Sequence, residues 1–331
     1  MKFIYLTSSP ENLGGIAVVA DQLTFDIIKN NGTILYNGYG QRSYTLDYFK
    51  FLLALFRTDL VVINTPLLRR ALSRDLVFLT SAWLFRKRIH LCFHGGDSEL
   101  SASFLDRLLV GVYKSLCDKY LYLGKSLIPS KDRVGKSGTF INPVISNPES
   151  VNYCYSVSEV KFLFIARLIS EKGVLIAEKI LKRVADLLPN RKILYFIAGS
   201  GPLSCDISSY ETDNFALQFL GRIEGETKLK YLAASDFLIL PSVFPEGMPM
   251  SILEAAVSKT VVLTTDVGAI SDYLDSGVSG FLFNGQTIDV DIWANKIVEV
   301  LQNEKETELV RDRAYHEFTR ITNQDVINSF L

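Results

Sequence analysis

The chain has 331 residues, nearly half of them apolar, which is enough for two domains with a core each. No apolar run reaches the length of a membrane-spanning helix, and the nearest, residues 76–85, is too short. The formal net charge of −1 hides an asymmetry: residues 1–150 carry 18 basic and 12 acidic side chains, and residues 151–331 carry 17 and 24, so the halves are expected to meet different partners.

In chain order, Phe3-Ile4-Tyr5-Leu6 reads as a first strand and not as a signal peptide. Further strands are expected at 59–64, 89–93, 120–123, 160–166, 192–198, 216–220, 236–240 and 261–264, with longer helical patterns between them. Runs such as LVVI, KFLFIA, ILYFIAG and FLIL are apolar on both faces, as a parallel strand covered by helices must be. The alternation implies α/β architecture, with two doubly wound Rossmann-like domains facing a deep cleft. Residues 142–159 are rich in Asn, Pro and Ser and carry no helical period, which marks the boundary. Cys92, Cys117, Cys154 and Cys205 lack CxxC spacing and read as reduced thiols of a cytoplasmic protein.

Two stretches of the second half carry chemistry. In FIARLISEKGV (164–174) a strand ends at Arg167, and Lys172-Gly173 opens the next helix. Both cations fall at the carboxyl edge of the sheet, where they can neutralise a diphosphate without a metal; a solvated loop with an Arg167–Glu171 pair fits the same residues. In LPSVFPEGMPMSILEAA, Glu246 sits in a strand-to-helix loop and Pro249 suits the first helical position. The helix N-terminus offers unpaired N–H groups and a partial positive charge to a phosphate. Glu254, one turn on, can accept hydrogen bonds from the vicinal hydroxyls of a ribose. The pair suits a sugar nucleotide, although the spacing alone equally describes dipole partners and surface charges.

Other signals are weaker. GSGPLS (199–204) starts like a dinucleotide fingerprint, but its third glycine position is Ser204. The DVD at 289–291 imitates a metal-binding DxD, yet it precedes a helical pattern and reads as a cap, so no metal site is expected. His94 ends a strand, where a histidine can simply hydrogen-bond the neighbouring loop, but the two glycines after it favour close approach to a ligand; His90 and His316 lack such a context and read as structural.

In order and spacing, the segments ARLISEKG, IAGSGPL, FLGRI, ASDFLILPS, EGMPMSILE and TTDVGAISDYLDSGVSGFLF resemble a family 4 glycosyltransferase, a retaining enzyme of GT-B fold. The likeness is strongest over residues 162–283; the first half matches only through Gly14-Gly15 and FHGGD (93–97). It implies that Arg167 and Lys172 bind the donor diphosphate, Glu254 the ribose hydroxyls, and Glu246 the transferred sugar. It further implies donor contacts from Gly199 and from the loop holding Gly247, Met248 and Met250. Gly14 and Gly15 would close over phosphates and acceptor, and His94 would lie near the transferred sugar. The chain departs from the family's pattern at Ala166, Ala269, Asp272 and Lys259, and the second and third of these bear on the fit of the donor loop.

The resemblance implies an acceptor-binding domain at 1–148 and a nucleotide-sugar-binding domain at 149–310. Residues 311–331 would form a helical segment that packs back on the first. The expected reaction is sugar transfer from a nucleotide sugar, a UDP-sugar, to a glycan or undecaprenyl-linked acceptor in bacterial surface polysaccharide (O-antigen, capsule or lipopolysaccharide) biosynthesis, with no metal cofactor. The alternatives are a nucleotide-sugar epimerase on the same fold and a catalytically silent partner subunit. Residues 57–136 hold 14 basic and 7 acidic side chains, with Trp83-Leu84-Phe85 directly before Arg86-Lys87-Arg88. This suits an anionic membrane surface, and hence a cytoplasmic protein peripheral to the membrane, and equally an ordinary amphipathic helix packed on the sheet with residues 76–85 in the core; no nucleic-acid motif is present.

Overall fold

The computed structural model describes residues 1–8, 15–37, 44–66, 69–94, 104–129, 135–143 and 158–331. They divide into two units, 1–143 with 321–331, and 144–320.

Unit 1 alternates strand and helix: β1 (Phe3–Thr7), α1 (Gly15–Lys29), β2 (Gly32–Tyr36), α2 (Tyr44–Leu55), β3 (Leu60–Pro66), α3 (Arg69–Leu84), β4 (Arg88–His94), α4 (Phe104–Leu116), β5 (Lys119–Tyr122) and β6 (Ser137–Thr139). The strands form one parallel sheet in the order β2-β1-β3-β4-β5-β6. β1 is buried along its whole length and β3 and β4 nearly so, because helices cover both faces. The crossover through α1 runs opposite to those through α2, α3 and α4. Right-handed crossovers therefore set α1 on one face and the other three helices on the other. On that second face Phe78 of α3 is ringed edge-on by Tyr44, Tyr48 and Phe51 of α2, at centroid distances of 5.0–5.6 Å.

Unit 2 runs β7 (Glu159–Ile165), α5 (Val174–Leu187), β8 (Lys192–Ala198), β9 (Tyr210–Glu211), β10 (Phe215–Gly221), α6 (Gly225–Ala234), β11 (Phe237–Leu240), α7 (Met250–Val257), β12 (Val261–Asp266), β13 (Phe281–Asn284), α8 (Val290–Gln302) and α9 (Glu304–Phe318). Its sheet has the order β13-β12-β11-β7-β8-β10-β9, parallel except for β9. From β7 the chain builds outward through β8 and β10, then returns to lay β11 on the other side of β7. The strand order thus reverses between β7 and β11, where Phe162 and Phe237 stack at 5.2 Å. Ligands of open α/β sheets bind at such a reversal, outside the carboxyl ends of the strands.

Of the segment expected at 311–331 to pack back on the first domain, residues 311–318 are the end of α9, and they pack within unit 2. Val310, Arg311, Ala314 and Phe318 are buried there, against α7 and β12. The return to unit 1 comes one helix later, with α10 (Asn323–Phe330), capped by Thr322 and Asp325. Phe330 lies on Phe3 and Tyr5, and its carbonyl accepts a 2.9 Å hydrogen bond from His90 Nδ1. Burial keeps His90 neutral by lowering its pKa, which explains it as a structural histidine.

Candidate functional site

The loops that leave β7 and β11 carry the site of unit 2. After β7 the chain passes Arg167, buries Leu168 as an anchor, and makes a 3-10 turn at Ser170–Lys172 before α5. After β11 it runs from Pro241 to Pro249 and enters α7 at Met250. The two loops are tied together: Val243 N donates to Glu171 O at 2.9 Å, and Ser242 Oγ lies 3.2 Å from the same carbonyl. Leu168 N donates to Ser200 O at 2.9 Å, bringing in the loop after β8. Ala269 N donates to Glu246 O at 2.8 Å, bringing in the loop after β12.

Two glycines make this closeness possible. Gly268 has φ +64°, and a Cβ there would lie 2.0 Å from the carbonyl oxygen of Glu246. Gly199 has φ +147°, and a Cβ would lie 2.0 Å from the carbonyl oxygen of Ala166. Any side chain would push the loops apart. Ala269 adopts φ −108°, within reach of any residue, so the departure from glycine there leaves the backbone path intact.

Both glutamates are buried, and each holds a lysine. Glu246 accepts hydrogen bonds from Lys172 Nζ and, at 2.7 Å, from Ser242 Oγ. Glu254 accepts one from Lys228 Nζ at 2.6 Å. Burial raises the Glu254 carboxyl above its ordinary pKa, and the Lys228 ammonium opposes that shift. Met248 is buried beside Glu246, whereas Gly247 and Met250 are partly accessible. Arg167 is exposed at the strand end, and its near neighbour Glu171 accepts instead from Ser170 Oγ at 2.9 Å. Arg167, Lys172, Gly199, Glu246, Gly247 and Met248 are thus gathered on adjoining strand-end loops, with Met250 and Glu254 on the helix that follows.

Lys228, on α6, carries no signal of its own in the sequence. In GETKLKYLAA it looks like Lys230, which is exposed and reaches only Glu226, at 4.0 Å. No local signal separates the two lysines; only the partner does. Ser242 was missed for a similar reason, since a serine after a strand is common in loops.

The DVD segment behaves as a helix start. Asp289 Oδ1 accepts from Asp291 N and Ile292 N at 2.9 and 3.0 Å, and Asp291 pairs with Arg183 at 2.7 Å. Among the described residues no cluster of His, Cys, Asp and Glu could hold a metal ion.

In unit 1, His94 ends β4 and Asn64 lies near the end of the adjacent β3. His94 Nε2 donates to Asn64 Oδ1, and Asn64 Nδ2 donates to Thr7 Oγ1 at 3.3 Å. Burial lowers the His94 pKa to about 3, so the ring is neutral at physiological pH. The next strand-end residue on β3, Thr65, donates to the fully buried Asp75 at 2.8 Å, and Arg74 pairs with the same carboxylate at 2.7 Å. Gly15 opens α1; Gly14 and residues 95–97 lie outside the described residues.

Residues 159–303 match the family model for glycosyl transferases group 1. An uncharacterized glycosyltransferase of Methanocaldococcus jannaschii, MJ1607, is 27% identical over 160 residues, which are 45% of this chain and 39% of the relative. The proposed teichuronic acid biosynthesis glycosyltransferase TuaC of Bacillus subtilis is 28% identical over 109 residues, 33% of this chain and 25% of the relative. The matched segments therefore span well under half the length of either relative. Across the whole fold, the crystal structure of Anabaena HepE in complex with UDP aligns with TM-score 0.70 at 15% identity, covering 99% of this chain and 98% of that one. HepE has also been crystallised with UDP-glucose. Residues 159–303 are thus similar to the glycosyl transferases group 1 family, and the two doubly wound units have the GT-B fold.

Proposed function

We propose that the protein transfers a sugar from a nucleotide sugar, a UDP-sugar, to the hydroxyl of a glycan or lipid-linked saccharide in bacterial surface polysaccharide biosynthesis, with retention at the anomeric carbon. The observation that carries this reading is the pair of buried carboxylate–lysine contacts, Glu246–Lys172 and Glu254–Lys228, beside the strand-order reversal of unit 2. Glu254 offers an acceptor to ribose hydroxyls. Arg167, Lys172 and the start of α7 offer positive charge to a diphosphate. Glu246 faces the sugar, and Lys172 is shared between it and the phosphate.

In the reaction, the bond from the anomeric carbon to the β-phosphate oxygen breaks and a bond to the acceptor oxygen forms on the same face. The acceptor proton passes to the leaving phosphate oxygen. Arg167 and Lys172 stabilise the charge developing on the diphosphate, which is the contribution expected of preorganised cations. His94, being neutral, orients a hydroxyl and adds no charge. The names of the relatives, TuaC above all, support a polysaccharide acceptor.

The test is incubation with UDP-glucose and other nucleotide sugars, with and without a saccharide acceptor. Release of nucleoside diphosphate that depends on acceptor, with an α-linked product by NMR, is expected from an α-linked donor. Conversion of the donor sugar without acceptor would instead identify an epimerase. Absence of nucleotide binding would point to a silent subunit.

A further inference from the structure

Unit 1 carries an apolar surface that its own core does not use. On α2, Phe51 and Leu55 face inward. Leu46, Phe49 (58% exposed) and Leu53 (55%) point outward at helical spacing, and Phe56 (71%) continues the line past the helix end. Phe85 meets Phe56 edge-on at 5.2 Å, which joins this line to Trp83 (52%) and Leu84 (70%) at the end of α3. The large exposed apolar side chains of unit 2, by contrast, are scattered singly: Leu175, Val243, Val278, Ile292 and Leu309. A contiguous apolar line of this kind marks an interaction surface.

Charge selects the partner. Lys50 is exposed on the same face of α2, Arg57 follows Phe56, and Arg86, Lys87 and Arg88 follow Phe85. Asp47 is turned into the core, and Asp59 accepts a 2.9 Å hydrogen bond from Lys2 N. A two-fold pairing of this face with a second copy would set cations against cations. An anionic bilayer answers both features, taking the apolar line into the headgroup–acyl boundary and the cations against lipid phosphates. We propose that the outer face of α2 and the Trp83–Phe85 tip form one docking surface for an anionic membrane. This places the contact partly on α2, which lies outside the basic stretch 57–136 and which no run of charge marks. No described helix is long and apolar enough to cross a membrane, so the contact would be peripheral. The proposal is independent of sugar transfer and is tested without nucleotide.

The chain has two tryptophans, and Trp293 is buried against Phe283, so a change of emission on vesicle addition reports Trp83. The full chain should cosediment with phosphatidylglycerol-containing vesicles at low salt, with a blue shift of emission, and should not do so with pure phosphatidylcholine. The triple variant F49S/L53S/F56S should weaken partitioning by about tenfold or more with unchanged thermal unfolding, since these side chains are exposed. The triple variant K50Q/R57Q/K87Q should weaken it by a similar factor and flatten its salt dependence; Arg86, whose φ is +53°, is left in place. Three outcomes would overturn the proposal. One is no cosedimentation with anionic vesicles. Another is binding that leaves emission unchanged and tolerates the serine variant, which would mean adsorption by charge alone. The third is a concentration-dependent dimer abolished by the serine variant, which would make a second copy the occupant.

Discussion

Lys228 Nζ lies 2.6 Å from Glu254 Oε1, and the carboxylate is almost wholly buried. A buried carboxylate is costly to ionise, and the lysine offsets that cost while leaving the second oxygen to a ligand. Lys228→Met should therefore weaken UDP binding by about tenfold, equivalent to ~1.4 kcal/mol, without removing it. Glu254→Ala should weaken UDP and UDP-sugar alike. Calorimetry with both ligands checks this; unchanged UDP affinity in both variants would dismiss the ribose role.

Glu246 belongs to the sugar side of the same site. Glu246→Ala should leave UDP affinity within about twofold of wild type and lower turnover by roughly 10²-fold or more, as loss of a transition-state contact does. Equal losses of UDP affinity at Glu246 and Glu254 would end this division of labour.

The raised pKa of Glu254 gives a pH signature. A carboxyl raised in the folded state favours folding most when protonated. Its contribution is thus complete below the ordinary glutamate value of about 4.3 and is lost as pH rises through the raised value. The stability of wild type relative to Glu254→Gln should fall over that window and then stay level. UDP binding should run the other way, strengthening as the carboxylate ionises. Thermal unfolding and calorimetry of both proteins between about pH 4 and 8 would show it.

Two cations and a helix start are proposed to neutralise the donor diphosphate, so activity should survive excess EDTA. Loss of activity with EDTA, restored by manganese or magnesium, would show that Arg167 and Lys172 do not suffice. Arg167→Ala should then be more damaging to turnover than to the fold, because its side chain is exposed.

Gly268→Ala should be severe for its size. The added Cβ meets the Glu246 backbone at 2.0 Å, in a left-handed conformation that alanine disfavours. A loss of about 2 kcal/mol or more in denaturant unfolding is expected, with weakened UDP binding because the Glu246 loop must shift. Gly277→Ala has open space at its Cβ and should cost only about 1 kcal/mol, from its φ of +77°.

The strand–helix alternation, and the positions of Arg167, Lys172, Glu246 and Glu254 at strand ends and on the helix that follows, are legible in the amino-acid pattern. The reason is local: runs apolar on both faces, such as 237–240, read as interior parallel strands when they alternate with helical patterns, and the residues just past them fall at the carboxyl edge. Strands without that signal escaped notice. β2 is half-exposed along its length, and β6 is the three residues Ser-Gly-Thr. Contacts between distant residues are not legible in that pattern, because they depend on how the strands are ordered. The order β11-β7-β8 put the loops after β7 and β11 side by side, so Lys172 meets Glu246 across 74 residues and Lys228 meets Glu254 across 26. The tertiary fold also sent α10 to unit 1 and turned Leu46, Phe49 and Leu53 outward. Periodicity reports that a helix has an apolar side; only the neighbouring elements determine whether that side is covered.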